Sequence, residues 1–273
     1  YDTLMTGQPI WRERLQGVGV ITAEEALALG ATGPILRSTG LPWDLRKETP
    51  YLYYDQVDFG VVVDARGALS RLVAVTAPAL RPSWNARIEA LKAERPLVLR
   101  GDGCGFLQRL AAELSADTIV TTDVGQHQMW VAQCLPFREP RTLLTSGGLG
   151  TMGFGLPAAI GAALARPDRK VVCISGDGSF LMNLQELATL SELGLDVTTF
   201  VMNNAQLGLV RQQQQLFYGR RYSAAHFERG SDFAALGRAF GVAGESAGAA
   251  ELTRERLREL LASPGPRVVD VRV

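Results

Sequence analysis

Two oxygen-bearing side chains, Asp177 and Asn204, have the types and the spacing of a metal site. Asp177 follows the β-branched run 170–175, and Asn204 follows the second such run, 197–202. The spacing between them accommodates one helix and one strand, which returns the chain to the same edge of a parallel sheet. A carboxylate, an amide oxygen and a backbone carbonyl form a hard oxygen site. Such a site suits Mg²⁺, which takes further ligands from phosphates.

The residues around Asp177 indicate an anionic ligand. Gly176, Gly178 and Ser179 complete a glycine-rich turn directly after a strand. Such turns allow backbone amides to approach a phosphate closely. A structural interpretation stays open, in which Asp177 caps the following helix and Asn204 fills a turn. The occurrence of both residues together favours the metal site.

The elements that must position these residues alternate from about residue 116 onward. Short β-branched or apolar runs predict strands, and the segments between them predict helices. Continuously apolar strands between helices predict an α/β fold, a doubly wound and mainly parallel sheet with helices on both faces. The predicted strands are 118–122, 170–175, 197–202 and 267–271, and the predicted helices are 153–165, 181–193, 208–218, 231–240 and 251–262.

Composition limits the possible partners. The 28 basic residues balance the 28 acidic residues, so charge gives no support for binding nucleic acid or for docking on a membrane. No apolar run approaches the roughly 20 residues of a membrane span. Cys104, Cys134 and Cys173 lack metal-ligand spacing, which favours buried, reduced thiols in a cytoplasmic protein over disulfides.

The segment from Gly176 to Asn204 resembles the signature of thiamine-diphosphate enzymes, and the longer match resembles the large subunit of acetolactate synthase. The resemblance implies that Asp177, Asn204 and the backbone carbonyl of Gln206 hold Mg²⁺. This metal bridges to the diphosphate of the cofactor, thiamine diphosphate. The resemblance covers about residues 61–273 and is weaker over 61–115.

Residues 123–130 resemble the first diphosphate-contacting loop of acetolactate synthases. The resemblance implies that Gly125, Gln126 and His127 donate hydrogen bonds to the diphosphate. An ordinary capping histidine is the alternative interpretation of His127.

Residues 145–153 resemble the loop that holds the aminopyrimidine ring. The resemblance implies that the carbonyl of Gly150 accepts a hydrogen bond from the exocyclic amine. It also implies that Met152 is an apolar wedge that bends the cofactor and brings the amine near its reactive carbon, a proximity effect. Met152 as core filler is the alternative.

Residues 207–218 resemble the helix that faces the substrate, which makes Leu209 and Gln213 candidate substrate-facing residues. Most acetolactate synthases have Trp at the position of Gln213, and this Trp is linked to a preference for 2-oxobutyrate as second substrate. The resemblance therefore implies little such preference here, although Gln also suits a solvated helix face.

The resemblance implies a homo-oligomeric carboligase of branched-chain amino acid biosynthesis that converts two pyruvates to 2-acetolactate and carbon dioxide. Other thiamine-diphosphate carboligases or decarboxylases, such as glyoxylate carboligase, and a cofactor-binding module without turnover are alternatives. The chain holds no catalytic residue of its own in this interpretation. The activating Glu is expected from a separate pyrimidine-binding domain, usually on another subunit, and the C-terminal tail that covers the site is expected to be cut. The chain alone is therefore expected to be catalytically silent.

Residues 1–60 resemble an internal stretch of the 49-kilodalton-type (D) subunit of NADH–quinone oxidoreductase, on the strength of 17–26, 33–37 and 43–47. This resemblance implies a junction near Val61 to Asp64, with 61–115 as a linker and the end of a middle domain, and 116–273 as the cofactor domain. It leaves a non-catalytic fragment of the respiratory enzyme as a third hypothesis. The chain is expected to begin inside a longer reading frame. Residues 1–60 are expected to pack poorly on the cofactor domain or to be partly extended. They contain one predicted helix, at 22–29, with a capping box at its start.

Overall fold

The computed structural model describes residues 20–21, 60–61, 65–76 and 80–273. The chain divides into two compact units, Tyr1–Glu94 and Arg95–Val273. In the first unit, β1 (Val20–Ile21) pairs in parallel with β2 (Gly60–Val61), and two helices follow, α1 (Ala65–Val75) and α2 (Pro82–Glu94). The helix predicted at 22–29, the packing of most of 1–60 and the junction after Val61 lie outside the described residues.

The second unit contains a six-stranded sheet in which every neighbouring pair is parallel. Its strand order is β4-β3-β5-β6-β8-β7. This confirms the predicted α/β fold with a parallel sheet. The strands are β3 (Ile119–Thr122), β4 (Leu143–Thr145), β5 (Val171–Gly176), β6 (Val197–Asn203), β7 (Ala243–Gly248) and β8 (Arg267–Arg272).

Helices connect these strands. They are α3 (Asp102–Ala111), α4 (Gln126–Cys134), α5 (Gly155–Ala165), α6 (Asp177–Phe180), α7 (Leu187–Glu192), α8 (Gly208–Phe217), α9 (Phe233–Ala239) and α10 (Arg254–Ala262). None of the described helices is long and apolar enough to cross a membrane.

The sheet is covered on both faces because side chains along a strand alternate between its two sides. In β5, Val172 and Ile174 belong to one core cluster with α3, α4 and α10, whereas Val171 and Cys173 belong to another with α5, α7 and α9. All residues of β3 and β5 are buried, as the continuously apolar runs predicted. The sheet is therefore doubly wound.

The strand order reverses at β3, since β4 lies on one side of it and β5 on the other. In open parallel sheets, the crevice outside the carboxyl ends of the strands at such a reversal is where ligands bind. The loops that follow β3 and β5 carry the candidate residues Gly125 to His127 and Gly176 to Ser179. The topology therefore brings these two groups of residues to one place.

The structure differs from the predicted elements in several places. The sequence analysis did not predict α4, β4 or β7. In place of the helix expected at 181–193, the chain has a 3₁₀ turn at Leu184–Glu186 followed by α7, with the short helix α6 directly before this stretch. Helix α3, which lies in the stretch interpreted as a linker, packs its apolar face into the core of the second unit. The three cysteines are free; Cys104 and Cys173 are buried and Cys134 is partly exposed.

Candidate cofactor and metal site

A cleft opens at the carboxyl ends of β3, β5 and β6. Its wall combines apolar side chains with glycines and a few polar groups, the composition typical of a cofactor site. The lining residues are Val124, Gly125, Gln126, His127, Trp130, Met152, Gly176, Asp177, Gly178, Ser179, Met202, Asn204, Gln206, Leu207, Gly208, Leu209 and Val210. The candidate site residues are thus brought together, except for Gly150 and Gln213.

Asp177 and Asn204 meet at one backbone amide. The N–H of Gln206 donates to Asp177 Oδ2 at 3.0 Å and to Asn204 Oδ1 at 3.1 Å. Between Asn204 and Gln206, Ala205 has a φ of 52°, a left-handed conformation that non-glycine residues rarely adopt. The bend turns Asn204 and Gln206 toward Asp177.

The alternative structural roles of these residues, a helix cap for Asp177 and a turn for Asn204, are also partly observed. Asn204 forms a side-chain turn onto the amide two residues ahead, as Asn commonly does. Asp177 Oδ1 accepts from the N–H of Gly178 at 2.8 Å, at the start of α6. These hydrogen bonds leave lone pairs on both oxygens, because each carboxylate or amide oxygen has two.

The Asp177 carboxyl is buried and has no ion-pair partner among the described residues. Burial raises its pKa above the ordinary value, against the opposing effect of hydrogen bonds from the amides of Gly178 and Gln206. A bound divalent cation would favour the ionised carboxylate and so lower the pKa that burial raises. The described residues contain no group of three or more His, Cys, Asp and Glu side chains that could hold a metal. A cation here would therefore need phosphate or water oxygens, which is the coordination that Mg²⁺ favours.

His127 lies in the wall of the cleft with an unpartnered ring nitrogen. Its Nε2 is buried and has no hydrogen-bond partner within the described part of the chain. Burial lowers the pKa of His127 to about 4, so the ring is neutral at physiological pH. A buried polar atom without a partner is costly, and a ligand in the cleft would satisfy it. The ring also forms a hydrogen bond with the backbone of Asp123, so His127 contacts the structure of the loop after β3 as well.

Gly176 allows the strand end to approach this ring. A Cβ added to Gly176 would lie 2.7 Å from His127 Nδ1, closer than real contacts allow. Ser179 faces the neighbouring loop, since its Oγ donates to the carbonyl oxygen of Val124 at 2.8 Å. The glycine-rich turn and the loop after β3 are therefore packed directly on each other.

Of the two candidate residues in 145–153, only Met152 reaches the cleft. Met152 lines it and is partly buried, whereas Gly150 is exposed, with a φ of 65°, beside Val124. The left-handed conformation of Gly150 explains the glycine at this position. Its carbonyl is not part of the cleft wall in this structure.

Helix α8 divides its two candidate residues between two depressions. Leu209 lines the cleft, whereas the exposed Gln213 lines a neighbouring depression with Tyr218 and Arg221. Gln213 therefore lies on the solvent-exposed face of α8, which was the alternative interpretation of this residue. Gln212, one position earlier, contacts the site: Gln126 Nε2 donates to its Oε1 at 3.1 Å.

The sequence analysis did not single out Trp130 and Met202, which line the cleft, or Gln212, which contacts the cleft residue Gln126. Trp130 and Gln212 lie within stretches that resemble family motifs, which is the signal that could have identified them. In the sequence, Met202 looks like an ordinary apolar strand residue. Only the folded structure shows that it lines the cleft.

These observations fit an anionic cofactor held together with a cation. Within the described residues, the buried Asp177 carboxyl has no cationic partner and the buried Nε2 of His127 has no hydrogen-bond partner, and glycines keep the floor of the cleft open. A family profile, described as thiamine pyrophosphate enzyme, C-terminal TPP binding domain, matches residues 123–271. This match spans more than half of the chain and includes every residue of the cleft. The chain belongs to the thiamine pyrophosphate enzyme family.

Its relatives include large subunits of acetolactate synthases. The acetolactate synthase isozyme 1 large subunit of Escherichia coli is 44% identical over 224 residues, which cover 80% of this chain and 40% of that protein. The acetolactate synthase large subunit of Parasynechococcus marenigrum is 46% identical over 227 residues, 80% of this chain and 37% of its own length. The chain spans about 40% of the length of the curated relatives that it matches.

A second profile, the 49-kilodalton subunit of respiratory-chain NADH dehydrogenase, matches residues 1–85. This confirms the resemblance seen in residues 1–60 and extends it. Because 80% of the chain exceeds the part that follows residue 85, the two resemblances share some residues before that point.

Proposed function

We propose that this chain is the thiamine-diphosphate- and Mg²⁺-binding part of an acetolactate synthase-like carboligase. The reaction joins two pyruvate molecules to give 2-acetolactate with loss of one carbon dioxide. The large-subunit relatives support the choice of this reaction over glyoxylate carboligase and other family reactions. The proposed setting is cytoplasmic and homo-oligomeric, with a small 2-oxo acid as substrate.

The observation that carries the proposal is the convergence of Asp177 and Asn204 on the amide of Gln206 at the carboxyl edge of the sheet. In the proposed site, Asp177, Asn204 and the carbonyl of Gln206 hold Mg²⁺. Gly125, Gln126, His127, Gly176, Gly178 and Ser179 surround the diphosphate.

The cofactor, when bound, supplies the electron sink that decarboxylation of a 2-oxo acid requires. The chain's own residues bind and orient it. His127, kept neutral by burial, donates one hydrogen bond without adding a charge. Met152 and Leu209 cover the apolar side of the cleft and exclude water, which strengthens the polar contacts within it.

Activation of the cofactor is proposed to come from outside this chain. Asp177 is the one acidic residue among those that line the cleft, and it is assigned to the metal. The described cleft therefore has no further carboxyl group that could activate the cofactor. We therefore expect a pyrimidine-binding domain, on another chain or another part of a longer protein, to supply the activating carboxyl group.

The test measures binding and turnover separately. Calorimetric titration with thiamine diphosphate should show binding that depends on Mg²⁺, and loss of metal dependence would contradict the metal assignment. Carbon dioxide release from labelled pyruvate should stay at the free-cofactor background for the 273-residue chain and rise when a separately expressed pyrimidine domain is added. Turnover by the chain alone would contradict the proposed division of labour. Product formed from glyoxylate but not from pyruvate would favour the glyoxylate carboligase alternative.

A further inference from the structure

Asp123 is a buried carboxyl that lies just behind the candidate site. It follows β3, is 1% exposed, and is not part of the cleft wall. Its backbone N–H donates to the carbonyl of Ile174 in β5 at 3.2 Å. The residue thus stands at the β3–β5 crevice without reaching a ligand in it.

The two oxygens of Asp123 join two other segments of the site. Oδ1 accepts from the backbone N–H of Gly155 at 3.0 Å, and Oδ2 accepts from the hydroxyl of Ser175 at 2.5 Å. Gly155 begins α5 shortly after Met152, and Ser175 precedes the glycine-rich turn that carries Asp177. Asp123 itself begins the loop that carries Gly125, Gln126 and His127.

Asp123 also caps a helix to which it does not belong. The N-cap residue of α5, Phe154, provides no side-chain hydrogen bond. The carboxyl of Asp123 occupies that place, and an anion is favoured at a helix N-terminus. Hydrogen bonds from Ser175 and from the amides of Gly155, Gly153 and Phe154 oppose the effect of burial, which raises the pKa of Asp123.

The close approach of α5 to this carboxyl depends on glycine. A Cβ added to Gly155 would lie 2.7 Å from Asp123 Oδ2 and 3.0 Å from its backbone nitrogen. Thr121 holds the same residue from the sheet, since its hydroxyl donates to the carbonyl of Gly155 at 2.9 Å. The start of α5 is therefore fixed against the end of β3 on both its amide and its carbonyl side.

We infer that Asp123 is a positioning residue that sets the three cofactor-facing loops, 124–128, 150–155 and 176–179, relative to one another. This inference rests on the proposed function, because the loops are those assigned to the diphosphate, the pyrimidine ring and the metal. The physical basis is one buried carboxyl shared by three segments that are distant in sequence. Loss of one of its hydrogen bonds frees one loop from the other two.

The first test follows amide exchange in the 273-residue chain without cofactor. Asp123→Asn keeps the shape of the side chain but removes the charge and one acceptor oxygen. Exchange at 124–128, 150–155 and 176–179 should be faster by about tenfold or more, the factor expected for loss of a hydrogen bond to a charged group. Ser175→Ala, which keeps the carboxylate and removes one partner, should accelerate 176–179 most.

The matched control is Leu190→Ala, which removes a fully buried side chain of α7 that lies outside the three loops in sequence and forms no hydrogen bond with Asp123. This variant should lower the thermal midpoint without selective exchange in the loops. Equal patterns in Asp123→Asn and Leu190→Ala would overturn the inference, because both would then report general destabilisation. If Asp123→Asn does not fold, the pattern in Ser175→Ala decides.

The second test titrates Mg²⁺ and thiamine diphosphate into the same proteins. Asp123→Asn should bind about 10–100-fold more weakly than the original chain, the range for residues that orient the partners of a metal. Leu190→Ala should bind with unchanged affinity when folded. If the original chain does not bind, the proposed function fails, and amide exchange alone decides the role of Asp123. Normal binding by Asp123→Asn would overturn that role.

Discussion

The carboxyl of Asp177 is buried and has no cationic partner among the residues that the structure describes. Its effect on stability and on metal binding can therefore be tested. Burial raises the pKa of its carboxyl, so the ionised side chain destabilises the metal-free fold at neutral pH. A metal ion reverses the sign of that contribution. The same residue is therefore expected to oppose stability without metal and to support binding with it.

Asp177→Asn should separate these two effects. The free energy of unfolding without metal should be unchanged or higher, because the buried charge is removed. Mg²⁺-dependent binding of thiamine diphosphate should weaken by about 100-fold or more, since even residues outside the metal shell contribute 10–100-fold. Calorimetry and denaturant unfolding measure the two quantities. Asp196→Asn, which removes an exposed carboxylate before β6, is the control and should leave binding unchanged; equal losses in both variants would contradict the assignment.

His127 gives the chain a pH dependence of known sign. Its pKa is lowered from 6.5 to about 4 in the folded state, so between these values the unfolded chain binds a proton that the folded chain does not. Stability is therefore fully present above pH 6.5 and is lost as the pH falls toward 4. At about 1.4 kcal/mol per pKa unit, the full loss is about 3 kcal/mol.

The corresponding experiment compares the original chain with His127→Gln by denaturant unfolding at pH 7 and pH 4. The difference in unfolding free energy between the two pH values should be smaller in the variant by about 3 kcal/mol. The buried carboxyls of Asp123, Asp177 and Asp270 have raised pKa values and act in the opposite direction. They are present in both proteins and cancel in the comparison. Identical pH dependence in both proteins would exclude a buried neutral His127.

At the residue scale, the sequence predicted the positions of site residues that directly follow strands. Asp177 and Asn204 follow the adjacent strands β5 and β6, and both lie at the carboxyl edge of the sheet because these strands are parallel. Asp123 could not be recognised in the same way. Its partners, Gly155 and Ser175, lie on two other elements, and only the packing of α5 against β3 and β5 brings them together.

Among the elements, β7 shows how the sheet recruits a strand of low intrinsic preference. Its residues, Ala243–Gly248, include two glycines and two alanines and no β-branched residue, which explains why propensity did not predict it. Hydrogen-bonded pairing with β8 and packing against α9 stabilise this strand, although its residues have low strand propensity. By contrast, β5, β6 and β8 were predicted because they are rich in β-branched residues.

Gly244 should therefore be far more sensitive than its exposed strand suggests. A Cβ at this position would collide with the backbone carbonyl oxygen of Ala234 in α9, so Gly244→Ala must separate α9 from β7. We expect a loss of about 1–3 kcal/mol or more, as for other overpacked sites. Gly161→Ala is the matched control, because that helical position faces open space. It should gain about 0.5–1 kcal/mol from helix propensity, and chemical denaturation measures both; equal effects would contradict the packing argument.

At the scale of the whole molecule, the cofactor site and both core clusters lie within Arg95–Val273. The profile of the 49-kilodalton subunit instead matches residues 1–85. The resemblance to this subunit was predicted from the sequence. The packed position of α3 could not be predicted in the same way, because the sequence does not identify the partner of its apolar face.

A shortened protein of residues 95–273 should accordingly keep the sheet and the cofactor site. We expect circular dichroism of a folded α/β protein, a cooperative thermal transition, and an affinity for Mg²⁺ and thiamine diphosphate within about twofold of the 273-residue chain, because all the residues that line the cleft lie within 95–273. The 273-residue chain is the control. Loss of cooperative unfolding or of binding in the shortened protein would show that the first unit contributes to the site.

The separation between the buried sheet and the loops at its carboxyl edge also has an evolutionary consequence. The strands β3 and β5 are buried throughout, whereas most residues that line the cleft lie beyond the strand ends, in loops and at the starts of helices such as α8. Selection for a new substrate can therefore act on positions such as Leu209 and Val210 while the core keeps its packing. Such a domain accumulates functional variation at little risk of losing its fold, and the same property makes its loops suitable for directed evolution.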